Sequence, residues 1–549
     1  MTTDKLHIQA LVTTCYQAGV EYIVISPGSR SAPLVIAFTD NNHFKCTAIP
    51  DERVAGFFAL GMAQQLGKPV AIICTSGTAL LNLAPAVCEA YYQQVPLLLL
   101  TADRPLEYIG IGENQAIVQT DIYRNYIKAS YTLPELPDEA VNITAKAIAE
   151  TTDDYFGPVH INIPLREPLY AQVERASVAI KINPNTVKNY KTITIAIAQR
   201  NMLICGMGES NNLLNEIIQT LSRRDDFIVI AEPLSNVVAP DAISNIDTTI
   251  TMLNGEVYAP TTIITIGKQI VSKRLRQYLR KVQPEFHYHI ATDKGEWNGL
   301  GAKNFKHINC PPAQVLEPLT KDAMTESSFR KNWLELNNLA TKKTNEYGVT
   351  VPFSDWTVFQ QLVKSYPADA NIQYGNSSSI RYAGFFQHHP SNAINANRGT
   401  SGIDGCLSTA AGAAMVNGKL TIAIVGDVSF LYDSNALWNN ALSSNLRIIV
   451  INNGGGNIFR LIEDSKNSAE FETFFETKHS HTAKHLANMY QIPYYFCDCA
   501  HDLLTKLTAF YQLQETNRPA ILEIKTDGAI SEEVYKSYFN FLKHLPDTL

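Results

Sequence analysis

Short apolar runs alternate with longer amphipathic stretches along most of the chain. Between Glu21 and Asp103 the apolar runs are EYIVIS, KCTAIP, VAIICT and LLLLT, and helix-like segments separate them. Apolar runs of roughly four to eight residues between helical patterns predict buried parallel strands covered by helices. The first part of the chain is therefore expected to form a doubly wound α/β layer, whose ligand-binding edge lies at the carboxyl ends of the strands.

The same alternation of apolar runs and helix-like segments occurs twice more along the chain. It starts again near Thr192 with MLICG, DFIVIAEP, TTIITIG and FHYHIAT, and a third time with NIQYG, NAINA, LTIAIVGD, LRIIVINN, YYFC and AILEIKT. Together these patterns predict an α/β protein with three doubly wound parallel-sheet domains. We place the domains at residues 1–180, 190–345 and 350–549, and the similar rhythm of the first and third indicates two related structures.

Composition narrows the class of protein. The 549 residues are 45% hydrophobic and 18% charged, with a formal net charge of −7 and nine cysteines. These values argue against a disordered or disulfide-scaffold protein, and the acidic balance argues against nucleic acid as a partner. No apolar run approaches the roughly 18 residues that a bilayer span needs, and the N-terminus lacks a signal-peptide pattern. We therefore expect a cytoplasmic protein without membrane insertion.

Two oxygen-bearing side chains follow neighbouring strands in the third domain. Asp427 ends LTIAIVG and Asn453 ends LRIIVIN, 26 residues later. This interval suits one right-handed crossover helix, which would bring both side chains to the same sheet edge. With a carbonyl from the glycine run 454–456 they form a hard-ligand set suited to Mg²⁺ or Ca²⁺. The segment predicts a diphosphate held through a metal, and the alternative is an ordinary βαβ unit with polar loops.

This pattern is similar to the cofactor signature of the thiamine diphosphate-dependent enzymes. The resemblance implies that Asp427, Asn453 and the Gly455 carbonyl hold Mg²⁺, with Mn²⁺ as a substitute, and that the cofactor is thiamine diphosphate. The chain departs from the family at Val428, where the consensus has glycine.

Glu52, in PDERVAGFFALGMA, matches the catalytic glutamate of the same family. The resemblance implies that its carboxyl pairs with the aminopyrimidine of the cofactor and promotes loss of the thiazolium C2 proton. Buried carboxyls hold protons as such a relay requires. The alternative is an acid that only complements the dipole of a helix start.

Four strings, SPGSRSAPL, TADRP, ENQAI and NRGTSGIDG, resemble the branch of this family that serves menaquinone biosynthesis. The resemblance implies decarboxylation of 2-oxoglutarate and 1,4-addition of the resulting carbanion to isochorismate, a carbon–carbon bond-forming transferase reaction. Both substrates are dianions, for which planar guanidinium groups are suitable partners. The expected substrate-binding residues are Ser29, Arg30, Arg104, Gln115, Ser377, Arg381 and Arg398. For each arginine alone, a surface ion pair is the alternative.

The resemblance also implies the cofactor contacts and the assembly. The expected cofactor-binding residues are Glu52, Ile403, Asp427, Ser429 and Asn453, with Ile403 propping the bent cofactor; a core isoleucine is the alternative. Because Glu52 belongs to the first domain and the metal set to the third, the resemblance implies active sites between subunits of a homodimer or homotetramer.

Other interpretations remain open at this point. An acetolactate-synthase-like enzyme or simple 2-oxo-acid decarboxylase is the nearest rival, and a binding or regulatory protein with the same fold is another. A flavin or nicotinamide oxidoreductase would need a fuller fingerprint than GMGES, whose Gly206 and Gly208 suit a structural turn. His479, His481 and His485 have spacing that could suit zinc, but their polar context predicts an exposed loop.

Overall fold

The computed structural model describes residues 1–175, 190, 193–208, 211–292, 299–323, 326–462, 469–512 and 518–544. Three separate all-parallel sheets, each with helices packed on it, organise these residues. The predicted α/β class with three parallel sheets is therefore confirmed.

The first sheet has six strands in the order β3-β2-β4-β5-β7-β6, and β1 pairs antiparallel with β8 beside it. Its central strands β2, β4, β5 and β7 are mostly apolar and buried, as expected for a sheet covered on both faces, whereas the edge strands β3 and β6 are more exposed. The elements are β1 (Thr2–Thr3), α1 (Leu6–Gln17), β2 (Tyr22–Ile25), α2 (Ala32–Thr39), β3 (Lys45–Ala48), α3 (Glu52–Leu66), β4 (Val70–Cys74), α4 (Thr78–Asn82), α5 (Ala84–Gln93), β5 (Leu97–Asp103), β6 (Ala129–Thr132), α6 (Pro137–Thr152), β7 (Val159–Pro164) and β8 (Gln172–Val173).

The middle sheet has five strands in the order β10-β9-β11-β12-β13. A Cβ on Gly206 would overlap the backbone carbonyl of Lys268, so close backbone packing accounts for this glycine of GMGES. The elements are β9 (Asn201–Cys205), α7 (Asn212–Ser222), β10 (Phe227–Ala231), α8 (Ile246–Thr251), β11 (Thr262–Ile266), α9 (Lys273–Val282), β12 (Phe286–Ala291), β13 (Asn304–Asn309), α10 (Pro312–Leu319) and α11 (Phe329–Thr350).

The third sheet has six strands in the order β15-β14-β16-β17-β19-β18, the same topology as the first sheet when each is numbered from its own first strand. The similar alternation of strand and helix patterns at the two ends of the chain thus reflects two sheets with the same topology. The elements are α12 (Asp355–Ser365), β14 (Asn371–Tyr374), α13 (Ser378–Ala383), β15 (Ala393–Ala396), α14 (Cys406–Asn417), β16 (Thr421–Gly426), α15 (Asp427–Tyr432), β17 (Leu446–Asn452), α16 (Lys484–Met489), β18 (Tyr494–Cys497), α17 (Ala500–Tyr511), β19 (Ala520–Lys525) and α18 (Gly528–Lys543).

Helices α3 and α14 join the first and third sheets through one continuous apolar core. Their backbones touch at glycines: a Cβ on Gly61 would overlap the Thr409 carbonyl, and one on Gly412 would overlap the Phe58 carbonyl. This close approach fixes how the N-terminal unit, built on the first sheet, packs against the C-terminal unit, built on the third sheet, within one chain.

The domain limits stay predictions. The first limit, between 180 and 190, falls almost wholly outside the described residues. The second, between 345 and 350, falls in the last turns of α11, which packs on α8 of the middle unit and on the C-terminal helix α18. Among the described residues, no helix combines the length and apolar character required to cross a membrane.

Candidate active site

Asp427 and Asn453 lie at the carboxyl ends of neighbouring parallel strands, as the spacing predicts. Asp427 directly follows β16 and Asn453 directly follows β17, and these strands pair in register. Asp427 Oδ2 accepts the backbone N–H groups of Gly454 and Gly455 at 2.8 and 3.0 Å. The aspartate and the glycine loop therefore form one structure. The predicted crossover helix is shorter than expected, since α15 ends at Tyr432 after six residues.

The donor set fits a hard divalent cation. Asn453 Nδ2 donates to the buried carboxylate of Asp355 at 2.8 Å, which fixes the amide orientation. Its Oδ1 is buried without a hydrogen-bond partner within the described residues, beside the loop that Asp427 holds. A buried acceptor oxygen without a donor is what a cation would satisfy.

Gly455 is shaped for this loop. Its φ of 155° is in the range that favours glycine, and a Cβ there would lie 2.7 Å from the Glu476 carbonyl oxygen. The Gly455 carbonyl accepts the Asn457 N–H at 2.9 Å and retains a second lone pair. A side chain at this position would thus disrupt the loop that offers the third oxygen.

His479 departs from the exposed loop that its sequence context predicts. Its side chain is 10% exposed, and Nε2 lies 3.4 Å from Asp427 Oδ2. The interaction with the Asp427 carboxylate raises the pKa of His479. No group of three or more potential His, Cys, Asp or Glu metal ligands occurs in the part of the chain described.

Ser429 and Ile403 connect the metal loop with the loop at 397–405. The Ser429 hydroxyl donates to the Ile403 carbonyl oxygen at 2.7 Å. Ile403 is half-buried in that loop rather than fully in the core. Asn376 Nδ2 holds the same loop by donating to the carbonyls of Asn397 and Gly402, each at 2.6 Å.

Glu52 is the first residue of α3, and the neighbouring Asp51 caps this helix by accepting the Arg53 N–H at 2.9 Å. The capping role therefore belongs to Asp51, and the Glu52 carboxyl lies beside Asn82 and Cys74. Desolvation by burial raises the pKa of Glu52, with Asp51 acting in the same direction. This carboxyl holds its proton more firmly than an exposed glutamate.

Four predicted substrate residues gather at the N-terminal unit. Arg30 is 5% exposed, donates to the Leu165 carbonyl at 2.9 Å and pairs with Glu167 at 2.9 Å. Arg104 Nε donates to the Asn114 carbonyl at 3.1 Å. Ser29 and Gln115 are exposed on loops of the same unit.

The other three predicted substrate residues belong to the C-terminal unit. Arg381 and Arg398 line a cavity of about 560 Å³, and Ser377 precedes α13 with a φ of 69°. The middle unit supplies cations that the sequence interpretation missed: Lys273, Arg274 and Arg276 line the same cavity. The basic start of α9, SKRLR, is the only sequence signal for them. Apolar lining comes from Ile380, Ile458, Leu461, Ile462 and Tyr535.

Buried carboxylates fix the cationic end of α9. Glu232 is 3% exposed and accepts the N–H groups of Val271 and Ser272, each at 2.7 Å. The Ser272 hydroxyl bonds Asp247 and also accepts the Leu275 N–H at 3.0 Å, which caps the helix. Burial raises the pKa of Glu232 to about 7. Lys273 and Arg274 therefore sit on a well-held helix start.

The predicted site residues form two groups. Glu52, Ser29, Arg30, Arg104 and Gln115 belong to the N-terminal unit. The C-terminal unit carries the metal set, which consists of Asp427, Asn453 and the Gly455 carbonyl. It also carries Ile403, Ser429, Ser377, Arg381 and Arg398. Within the residues described, no hydrogen bond or ion pair joins Glu52 or Arg30 to the metal set or to the cavity arginines.

Comparison with known families agrees with this layout. Residues 7–124 match the family described as "Thiamine pyrophosphate enzyme, N-terminal TPP binding domain", and residues 375–524 match "Thiamine pyrophosphate enzyme, C-terminal TPP binding domain". The fold and the site thus define a thiamine diphosphate-dependent enzyme.

Curated relatives narrow the family. The chain is 41% identical to a 2-succinyl-5-enolpyruvyl-6-hydroxy-3-cyclohexene-1-carboxylate synthase of Flavobacterium psychrophilum, over 97% of this chain and 98% of the relative. Proteins of the same name from Desulfotalea psychrophila and Bacteroides thetaiotaomicron are each 34% identical, over 95% and 99% of this chain and 98% and 100% of their own lengths. The chain belongs to the family of 2-succinyl-5-enolpyruvyl-6-hydroxy-3-cyclohexene-1-carboxylate synthases.

Proposed function

We propose that this chain joins 2-oxoglutarate to isochorismate with loss of CO₂, as the family name and the site chemistry indicate. The observation that carries the substrate assignment is the cavity in which Arg274, Arg276, Arg381 and Arg398 converge. Such a concentration of guanidinium groups suits dicarboxylates and would be superfluous for pyruvate. The apolar lining beside the arginines suits the carbon ring of isochorismate.

Asp427, Asn453 and the Gly455 carbonyl are the residues that would hold Mg²⁺, and Mn²⁺ could replace it. The support is the Oδ1 of Asn453, which has no hydrogen-bond partner among the described residues, together with the Asp427 carboxylate, which holds the N–H group of the next residue, Gly454. Three protein oxygens leave positions for diphosphate oxygens and water. Thiamine diphosphate, when bound, supplies the electron sink for decarboxylation of the 2-oxo acid.

Glu52 serves as the proton-holding group. Burial keeps its carboxyl protonated to a higher pH than usual, and Asp51 provides the helix cap, which leaves the Glu52 carboxyl for the cofactor. Ile403 stays in place through the Ser429 hydroxyl, and it would support the bent cofactor between the two groups of residues.

Two chains would complete one site. Within the residues described, no hydrogen bond or ion pair joins Glu52 to the metal set of its own chain, although its neighbours Asp51 and Arg53 bond to Asn435 and Tyr432. Helices α3 and α14 already fill the contact between the two units of one chain. We propose a homodimer, or a tetramer of dimers, in which Glu52, Ser29, Arg30, Arg104 and Gln115 of one chain face the metal set of another. Two-fold symmetry would give two equivalent sites.

The test is product analysis. The protein is incubated with 2-oxoglutarate, isochorismate, thiamine diphosphate and Mg²⁺, and the adduct is detected by mass. Parallel reactions contain pyruvate in place of 2-oxoglutarate. The proposal expects the succinyl adduct and release of CO₂ only with 2-oxoglutarate. Acetolactate or acetaldehyde formation from pyruvate, without the succinyl adduct, would instead establish the rival 2-oxo-acid enzyme.

A further inference from the structure

Among the residues described, the Arg398 guanidinium forms no ion pair and is held by Asn376. The residue is 9% exposed, and its Nη1 donates to Asn376 Oδ1 at 3.1 Å. Its Nε is buried without a hydrogen-bond partner in the part of the chain described. The guanidinium therefore remains available to an anion in the cavity, and its placement depends on how the backbone at 398–400 is held.

Glu89 on α5 holds that backbone from the N-terminal unit. Its Oε1 accepts the Gly399 N–H at 2.7 Å, and its Oε2 accepts the Thr400 N–H at 2.6 Å and the Thr400 hydroxyl at 2.7 Å. Glu89 is 1% exposed. Burial raises the pKa of Glu89, and the bonds from Thr400 and Gly399 oppose that shift.

The surrounding contacts leave the loop little freedom. Gln93, one turn after Glu89, donates to the Ala396 carbonyl at 2.8 Å. Gln269 of the middle unit donates to the Gly399 carbonyl at 2.7 Å. A Cβ on Gly399 would lie 2.6 Å from the Glu89 carbonyl oxygen. Gly399, the residue that follows Arg398, thus belongs to the C-terminal unit and is contacted by both the N-terminal and the middle unit.

We propose that Glu89 is a positioning residue for Arg398, which sets the affinity of the cavity for one dianionic substrate. Glu89 does not line the cavity and makes its hydrogen bonds to the loop backbone, although its charge also interacts with the Arg398 guanidinium. A loop substitution that leaves this charge in place therefore separates the two effects. A carboxylate is required chemically because both oxygens accept hydrogen bonds. An amide at the same place would turn its NH₂ group toward an N–H donor and leave that donor without an acceptor.

The inference rests on the proposed function, and a double-mutant cycle tests it in the holoenzyme. Steady-state kinetics with both substrates are measured for wild type, Glu89→Gln, Arg398→Ala and the double variant. We expect Glu89→Gln to raise KM about tenfold for the substrate whose KM Arg398→Ala raises, with a smaller change in kcat, since misplacing one binding group costs affinity. In the Arg398→Ala background the same change should alter KM by less than about twofold.

Two further variants separate positioning from general stability. Thr400→Ala removes one of the three hydrogen bonds that the loop donates to Glu89 and leaves the Glu89 charge in place. It should raise the same KM by about threefold, an effect that again vanishes in the Arg398→Ala background. Asp226→Asn changes another buried carboxylate, which pairs with Arg224 at 2.8 Å in the middle unit, and should lower the thermal midpoint without changing either KM.

The outcomes are distinct. An unchanged KM in Glu89→Gln, or effects of Glu89→Gln and Arg398→Ala that multiply in the double variant, would overturn the positioning role. If Glu89→Gln does not fold, the Thr400→Ala cycle decides by the same criteria. Absence of turnover in the wild-type holoenzyme would contradict the proposed function itself. The positioning role would then be judged by calorimetry, where equal affinity of wild type and Glu89→Gln for both 2-oxoglutarate and isochorismate would overturn it.

Discussion

The Ser429 hydroxyl donates a 2.7 Å hydrogen bond to the carbonyl oxygen of Ile403, across 26 residues of sequence. Ser429 is in the helix that begins with the metal-binding candidate Asp427, and Ile403 is in the loop that also carries Arg398. One contact therefore couples the loop expected to support the cofactor ring to the loop expected to hold its diphosphate. Substitution of either Ser429 or Ile403 should therefore change how the cofactor is bound.

Asp427→Ala should abolish cofactor-dependent activity. The substitution removes a proposed metal-binding oxygen and the acceptor of the Gly454 and Gly455 N–H groups. Turnover is measured with saturating thiamine diphosphate and Mg²⁺, and cofactor affinity by calorimetry. Asp502→Ala, which changes a 45% exposed side chain that pairs with Lys506 within α17, is the control and should behave as wild type. Wild-type turnover by Asp427→Ala, or by metal-stripped protein, would contradict the metal assignment.

Glu52→Gln should fold and bind the cofactor but lose activity by about a hundredfold or more, because an amide cannot hold and return the proton. Proton exchange at C2 of the bound cofactor, followed by NMR, should slow in parallel. Glu139→Gln changes an exposed acid in the first turn of α6 and controls for a helix-dipole effect. Equal exchange rates in Glu52→Gln and wild type would assign Glu52 to the dipole role.

Arg398→Ala and Arg274→Ala should each weaken use of a dicarboxylate by about 2–5 kcal/mol in kcat/KM, the usual cost of removing one partner of a desolvated charge pair. Arg381→Ala should have an effect in the same range. Arg280→Ala, later on the same helix as Arg274 and bonded to the Gly299 carbonyl at 2.8 Å, is the control. Parameters like those of wild type for both substrates would contradict a substrate-binding role for these arginines.

Glu232 should make the protein less stable as the pH rises. Its pKa is about 7 in the fold against 4.5 for an ordinary glutamate, so the folded state binds more protons between these values. The contribution is full below pH 4.5 and is lost as the pH approaches 7, with a slope of up to about 1.4 kcal/mol per pH unit. The thermal midpoint, followed from pH 5 to 7, should fall less steeply in Glu232→Gln than in wild type. A steeper fall of the thermal midpoint in the variant would contradict this prediction.

The sequence predicts the position of site residues well where they directly follow a parallel strand. Asp427 and Asn453 lie where the spacing put them because parallel strands place their carboxyl ends on one edge. Arg274 and Glu89 could not be found in this way. Their roles depend on how separate units pack, with α9 reaching the cavity of the C-terminal unit and α5 reaching the loop at 399–400.

His479 shows a second limit of sequence interpretation. KHSHTAK is polar, and polarity predicts exposure, yet the Gly454 carbonyl accepts the His479 N–H at 2.9 Å and draws the ring onto Asp427. Such a tertiary contact leaves no periodic signal. The helix after Asp427 was overestimated for a related reason, because the segment to Leu446 contains only the six residues of α15 and a short 3-10 turn at Ser434–Leu437.

The central claim is that Glu52 of one chain and the metal set of another serve one cofactor. The direct measurement is activity after mixing equal amounts of inactive Glu52→Gln and Asp427→Ala chains under conditions that exchange subunits, with exchange verified by mass. In a mixed dimer one site collects both changes and the other neither, so about one quarter of wild-type activity should return after random exchange. Verified exchange with no recovered activity would show that each site is built within a single chain.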